Sequence, residues 1–189
     1  SELWKRIIIT DQITYSRGQI LEMLQPLLKP ILCADIPLLT PICPDRELSS
    51  ELKATLLRIG HYIVCQCNSR YQDKNWSVKK WIELTTRLIT SGYSICFTGG
   101  VNDITYLHQI IEKLPKEKTF IAAGQASFGQ TARIIQNAVA YIGVDTATSH
   151  VAAATGIPCI CLYGPTAVDI CGPAPKNGQS SPYSKHLGI

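Results

Sequence analysis

Between His61 and Tyr163 the chain repeats one pattern: a short continuous apolar run, then a stretch of helical period. The apolar runs are His61–Cys67, Tyr93–Thr98, Thr119–Ala122, Tyr141–Val144 and Cys159–Tyr163, rich in Ile, Val and Cys. Helical patterns fill the gaps at Ser77–Ser91, Asp103–Leu114, Phe128–Asn137 and the alanine-rich stretch that ends at Thr155. Runs apolar at every position suit strands buried on both faces. Strands that alternate with helices build right-handed β–α–β units into a parallel sheet. The expected fold class is therefore α/β, a parallel sheet with helices on both faces.

Local signals place the ends of these elements. Ser77 and Ser127 stand where N-caps are needed, and Gly92 and Gly156 follow the last periodic residues. Ahead of the repeat, Glu47–Ile59 reads as a helix closed by Gly60. Arg17–Leu28 is a helix by its period, and Arg6–Ile9 is a short strand. Between them Pro30, Pro37, Pro41 and Pro44 mark an extended connector with one strand at Ile31–Ala34. Beyond Thr166 the periodicity stops, and Asp169–Ile189 reads as loop or tail.

Composition narrows the partners. Net charge is +4, with basic clusters at Lys79-Lys80 and Lys113–Lys118 that read as solvated helix ends. No basic stripe with interleaved aromatics is present, so nucleic acid is not an expected partner. No apolar run approaches the roughly 20 residues of a membrane-spanning helix, and no leader-like segment opens the sequence, so a cytoplasmic location is expected. The chain has 8 cysteines. Most lie inside the apolar runs, in Cys-x-Cys rather than zinc-type spacing, and read as reduced, buried thiols with no metal.

In an open parallel sheet, ligands gather beyond the carboxyl ends of the strands. Four segments there carry suitable chemistry. Asn68–Trp76 offers Ser69, Arg70 and Lys74, the last two being cations of the kind that pair with phosphate. Trp76 reads as a packing group at a helix start. Thr98-Gly99-Gly100 lets backbone approach a ligand closely. Asp103, just beyond, reads equally as an acceptor for a ribose hydroxyl or as an acid in a first helical turn. No G-x-G-x-x-G pattern is present, so nicotinamide chemistry has no support. In Asp145-Thr146-Ala147-Thr148-Ser149-His150, Asp145 is placed as the N-cap. The unpaired N–H groups that follow it make a seat for phosphate. His150 lies about 140° further round the helix and reads as a satisfied helical histidine or a site residue. Gly164-Pro165-Thr166 adds a turn and a hydroxyl. A cation, glycines, an acid, hydroxyls and a helix N-terminus on one sheet edge suit a nucleotide diphosphate.

These motifs carry a resemblance. Lys74-Asn-Trp76 with Trp81, then Phe97-Thr-Gly-Gly100, Gly143-Val-Asp-Thr-Ala-Thr-Ser-His150 and Leu162-Tyr-Gly-Pro-Thr166 follow one another as they do in the ADP-heptose:lipopolysaccharide heptosyltransferases, glycosyltransferase family 9. The resemblance covers roughly residues 12–175. It implies a Rossmann-like sheet that forms the donor-binding half of a GT-B fold. Residues 1–55 would then be a remnant of an amino-terminal acceptor domain and linker, 56–175 the nucleotide-sugar-binding domain and 176–189 a loop or tail. It also implies roles: Lys74 and Ser69 on donor phosphates and sugar, Asp103 near the adenosine ribose, Asp145 and His150 at the sugar–diphosphate junction, and the N–H groups of Thr146 and Ala147 around the diphosphate. Gly99, Gly100 and Thr166 complete the donor site. Ala147 stands where the family usually has glycine, and Thr148-Ser149 where it often has Pro-Met.

The implied reaction transfers a sugar, heptose from ADP-heptose, to a lipopolysaccharide-core-type acceptor with inversion. The general base is expected outside this chain. The donor, preferably an ADP-sugar, is a substrate, and neither cofactor nor metal is expected. The implied partners are the nucleotide-sugar and a glycolipid or saccharide acceptor, with peripheral contact at an anionic inner-membrane surface. An amino-terminal domain or partner chain is also implied. The rival readings are a non-catalytic or truncated nucleotide-sugar-binding module and a GT-B sugar-nucleotide epimerase.

Overall fold

The computed structural model describes residues 47–167 and Gly172, with the backbone of 187–188. The strands read at Arg6–Ile9 and Ile31–Ala34, the helix at Arg17–Leu28 and the proline-rich connector lie outside the described residues. Strands β1 (Tyr62–Gln66), β2 (Ser94–Phe97), β3 (Thr119–Ile121), β4 (Ala140–Val144) and β5 (Cys159–Tyr163) alternate with helices α1 (Ser50–Ile59), α2 (Val78–Thr90), α3 (Ile104–Ile111), α4 (Phe128–Gln136) and α5 (Ala147–Thr155). The strands lie in the order β3-β2-β1-β4-β5, each neighbour parallel. A short β6 (Leu187–Gly188) adds a further parallel strand beside β5. The sequence reading placed only loop or tail there. Two residues are too few to show an alternating pattern, and only pairing with β5 defines them as a strand.

Capping explains where the helices begin. The Ser49 hydroxyl accepts from the Leu52 N–H and the Ser77 hydroxyl from the Lys80 N–H. Ser127 and Gln130 satisfy one another's backbone N–H groups in a capping box. At the far end of α5, Gly156 adopts a left-handed conformation at φ 79°, which a side chain would resist.

Alternate residues of each strand point to opposite faces, and each face has its own helical cover. Tyr62, Val64, Tyr141, Cys159, Cys161 and Tyr163 pack with Leu52 and Leu56 of α1, Ile134 and Ile135 of α4 and Ala152 of α5. Ile63, Cys65, Ile95, Phe97, Ile142 and Val144 pack with Trp81 of α2 and with Leu107 and Ile110 of α3. Full burial of each large side chain contributes about 1.5–3 kcal/mol. Leu48 and Leu52 belong to this core, so α1 runs across the boundary expected near residue 55. Cys65, Cys67, Cys96, Cys159 and Cys161 are buried free thiols, and burial pushes Cys65 up to about 12. They pack as small apolar groups, as the strand pattern implied.

The candidate donor site at the carboxyl edge

β1 and β4 are neighbours at the centre of the sheet, and the connections leaving them run in opposite directions. A crevice opens at such a switch point. Its floor is Gln66, the last residue of β1, which is buried. The Gln66 amide donates to the Asn68 carbonyl and accepts from the Thr98 hydroxyl, so the ends of β1 and β2 are tied together. Two adjoining clefts, of about 280 and about 720 Å³, share Gln66, Gly100 and Thr146. The smaller has Ala147 and Thr148 of α5 on one side and Phe128 of α4 on another; the larger runs past Ser69, Arg70 and Asp103.

The first turn of α5 differs from the expectation. Asp145 is not the cap. Thr146 holds that position with extended backbone, and the helix starts at Ala147. The Asp145 carboxylate instead accepts from Lys74 Nζ at 2.6 Å, with Asp145 only 7% exposed and Lys74 22%. A buried carboxylate needs a charged donor more than a helix end needs that particular oxygen. The N–H groups of Thr146, Ala147 and Thr148 have no partner among the described residues, so the helix presents its positive end to the cleft. His150 follows, half-buried. Burial holds its imidazole below the ordinary value, and the nearby Asp145 charge opposes that shift.

Lys74 ends a short turn, Gln72–Lys74. Gly164 fixes that turn from β5: a Cβ there would strike the Asp73 carbonyl and lie 3.3 Å from Lys74 Cα. The Gly164–Thr166 turn thus meets the Lys74 turn, as expected of one shared edge, and Thr166 is half-buried there. Trp76 stacks edge-on with Trp81, ring centres 5.6 Å apart, and so packs rather than facing ligand.

Ser69 and Asp103 are drawn partly into their own loops. The Ser69 hydroxyl accepts from the Tyr71 N–H and donates to the Tyr71 carbonyl. Asp103 accepts from the Asn68 amide and the Gly100 N–H, both at 2.8 Å. Gly99 cannot carry a side chain beside it, because a Cβ would lie 2.6 Å from Asp103 Oδ2. The two glycines and Asp103 therefore form one folded unit on the cleft wall. Sequence reasoning missed Gln66, whose signal is a polar residue closing an apolar run. It also missed Phe128, 60% exposed at the first position of α4, because an aromatic there reads as core.

A parallel sheet in this order, with its crevice at the β1/β4 switch point, defines a Rossmann-like α/β fold. The chain belongs to glycosyltransferase family 9 (heptosyltransferase), whose family model matches residues 41–185. It is 31% identical over 123 residues to lipopolysaccharide heptosyltransferase 3 of Escherichia coli K12, covering 64% of this chain and 36% of that protein. It is 30% identical over 152 residues to lipopolysaccharide heptosyltransferase 2 of Salmonella typhimurium, covering 79% and 42%. The chain thus spans well under half the length of these relatives. Among solved structures, a glycosyl transferase family 9 protein of Veillonella parvula superposes with a TM-score of 0.79 at 19% identity, covering 98% of this chain and 54% of that one. The E. coli heptosyltransferase WaaC with ADP superposes at 0.67 and 22% identity, covering 95% and 52%. These likenesses establish the fold, which is that of one half of such enzymes.

Proposed function

We propose that this chain is the nucleotide-sugar-binding half of a heptosyltransferase-type glycosyltransferase. The observation that carries the reading is the first turn of α5. In a family 9 chain, three N–H groups with no partner among the described residues open into a cleft of about 280 Å³, with Lys74 held nearby on Asp145. The diphosphate of an ADP-sugar would sit on those N–H groups, with Lys74 as its cation. Gly99, Gly100, Ser69, Asp103, Ala147, His150 and Thr166 would line the remainder of the site.

In the reaction, an acceptor hydroxyl attacks the anomeric carbon as the bond from that carbon to the phosphate oxygen breaks. A base outside this chain takes the hydroxyl proton. ADP leaves with its new charge met by Lys74 and the α5 N-terminus. Attack opposite the leaving group inverts the anomeric centre. The acceptor would be a lipopolysaccharide-core saccharide, which would bring the full protein to a membrane surface. Among the described residues no helix is long and apolar enough to cross one.

Calorimetric titration of the full-length protein with ADP, UDP and GDP tests the site. ADP should bind most tightly, and Lys74→Ala should weaken it by about 1.5–3 kcal/mol, the range for hydrogen bonds to charged groups. Absence of nucleotide binding, or ADP affinity indifferent to Lys74, would overturn the reading.

A further inference from the structure

Behind the cleft wall lies a chain of hydroxyls. Thr146 and Thr148 both line the smaller cleft, and their Oγ1 atoms are 2.9 Å apart. The phenol oxygen of Tyr141 lies 2.8 Å from Thr148 Oγ1. Tyr141 belongs to β4 and is wholly buried against α4 and α5. Its side chain reaches the end of the strand only because residue 143 is glycine. A Cβ there would collide with the phenol oxygen and lie 2.9 Å from Gln66 Cβ.

The direction of donation follows from the buried phenol, whose proton has Thr148 Oγ1 as its acceptor among the described residues, and agrees with the far end. Thr146 Oγ1 donates to the Val144 carbonyl, which can only accept. Thr148 then donates to Thr146, and Tyr141 to Thr148. Burial holds the phenol well above its ordinary value, so its proton stays in place to be donated. The last link is the weak one: Thr146 Oγ1 to the Val144 carbonyl is 3.4 Å, long for a hydroxyl donor. A hydroxyl that accepts a hydrogen bond is itself a stronger donor. The Thr146 hydrogen is therefore polarised from behind and loosely held in front, beside the N–H groups of α5.

We propose that Tyr141 is a positioning residue for phosphate, holding Thr148 and through it setting the Thr146 hydroxyl to donate to a phosphate oxygen of the bound nucleotide. This rests on the diphosphate lying at the α5 N-terminus. Tyr141→Phe removes only the oxygen at the head of the chain. In the full-length protein it should raise the Kd for ADP about 3- to 10-fold, the size of one hydrogen bond, and leave adenosine affinity, measured by competition, unchanged. Thr146→Val should give at least that loss, and adding Tyr141→Phe to Thr146→Val should cost nothing further.

The proposal fails if Tyr141→Phe leaves ADP affinity unchanged. It fails also if adenosine weakens as much as ADP, or if the two losses simply add. It fails too if Thr146→Val binds ADP undiminished, whereas the underlying reading fails separately, if the wild-type protein does not bind ADP or binds it indifferently to Lys74. Should Tyr141→Phe not fold, as near-ultraviolet circular dichroism would show, Thr148→Val breaks the same chain from the cleft side. The same split between ADP and adenosine then decides.

Discussion

Replacing Lys74 with methionine keeps most of the side chain's bulk and removes its charge. The Asp145 carboxylate, 7% exposed, then loses a donor that stood 2.6 Å away. Surface pairs such as Arg87–Glu83, with side chains 78% and 60% exposed, contribute about 0–1 kcal/mol. Burial sets Lys74–Asp145 apart from these. The 22% exposure of Lys74 keeps it below the roughly 3–5 kcal/mol that follows when a fully buried pair is broken. A loss of about 1.5–3 kcal/mol is expected, as for a hydrogen bond to a charged group. Asp145→Asn should cost less, about 1 kcal/mol, because the amide oxygen still accepts and Lys74 can turn its charge to water. The double change should cost less than the two singles together, since no orphaned carboxylate remains. Urea unfolding by tryptophan fluorescence reads these differences at constant slope. A Lys74→Met variant within about 0.5 kcal/mol of wild type, or singles that add fully, would show that the carboxylate does not depend on its cation.

Two further perturbations probe the same edge. His150 is held below its ordinary 6.5 by burial, so its contribution to stability is whole above that value and is lost as pH falls through the lower folded value. His150→Gln should flatten the decline in stability between about pH 7 and pH 5, and an unchanged slope would remove burial of this imidazole as a cause. Gly164→Ala places a methyl against the backbone of Asp73 and Lys74, which cannot yield as a side chain can. It should cost about 1–3 kcal/mol and weaken ADP binding with it; undiminished stability and affinity would mean that the Lys74 turn is not pinned from β5.

The sheet is legible in the sequence because a doubly buried strand must be apolar at nearly every position, and β1 to β5 are. Ser77 and Ser127 are legible because a cap acts on groups two or three residues away. The cap of α5 is not. Asp145 and Thr146 are adjacent and both suitable, and the choice falls to Lys74, 71 positions away in the chain. Local pattern contains no trace of that partner. Ser69 and Asp103 line the larger cleft, but their bonds to Tyr71, Asn68 and Gly100 depend on how each loop folds back on itself. The Tyr141 relay is hidden for a related reason. Its cue is the spacing Tyr141-x-Gly143, which reads as an ordinary strand until the ring is seen lying over the glycine.

The central pairing of β1 with β4 has a kinetic side. These strands are sheet neighbours, yet two complete strand–helix units separate them in the chain. Closing so long a loop costs entropy before any contact across it compensates, and folds dominated by such contacts form slowly. The Lys74–Asp145 pair and the Gly164 contact with the Lys74 turn both span the same closure. The crevice is therefore absent from any partly folded chain in which only β1, β2 and β3 have assembled. Appearance of the crevice during folding would then mark the moment the two halves of the sheet meet.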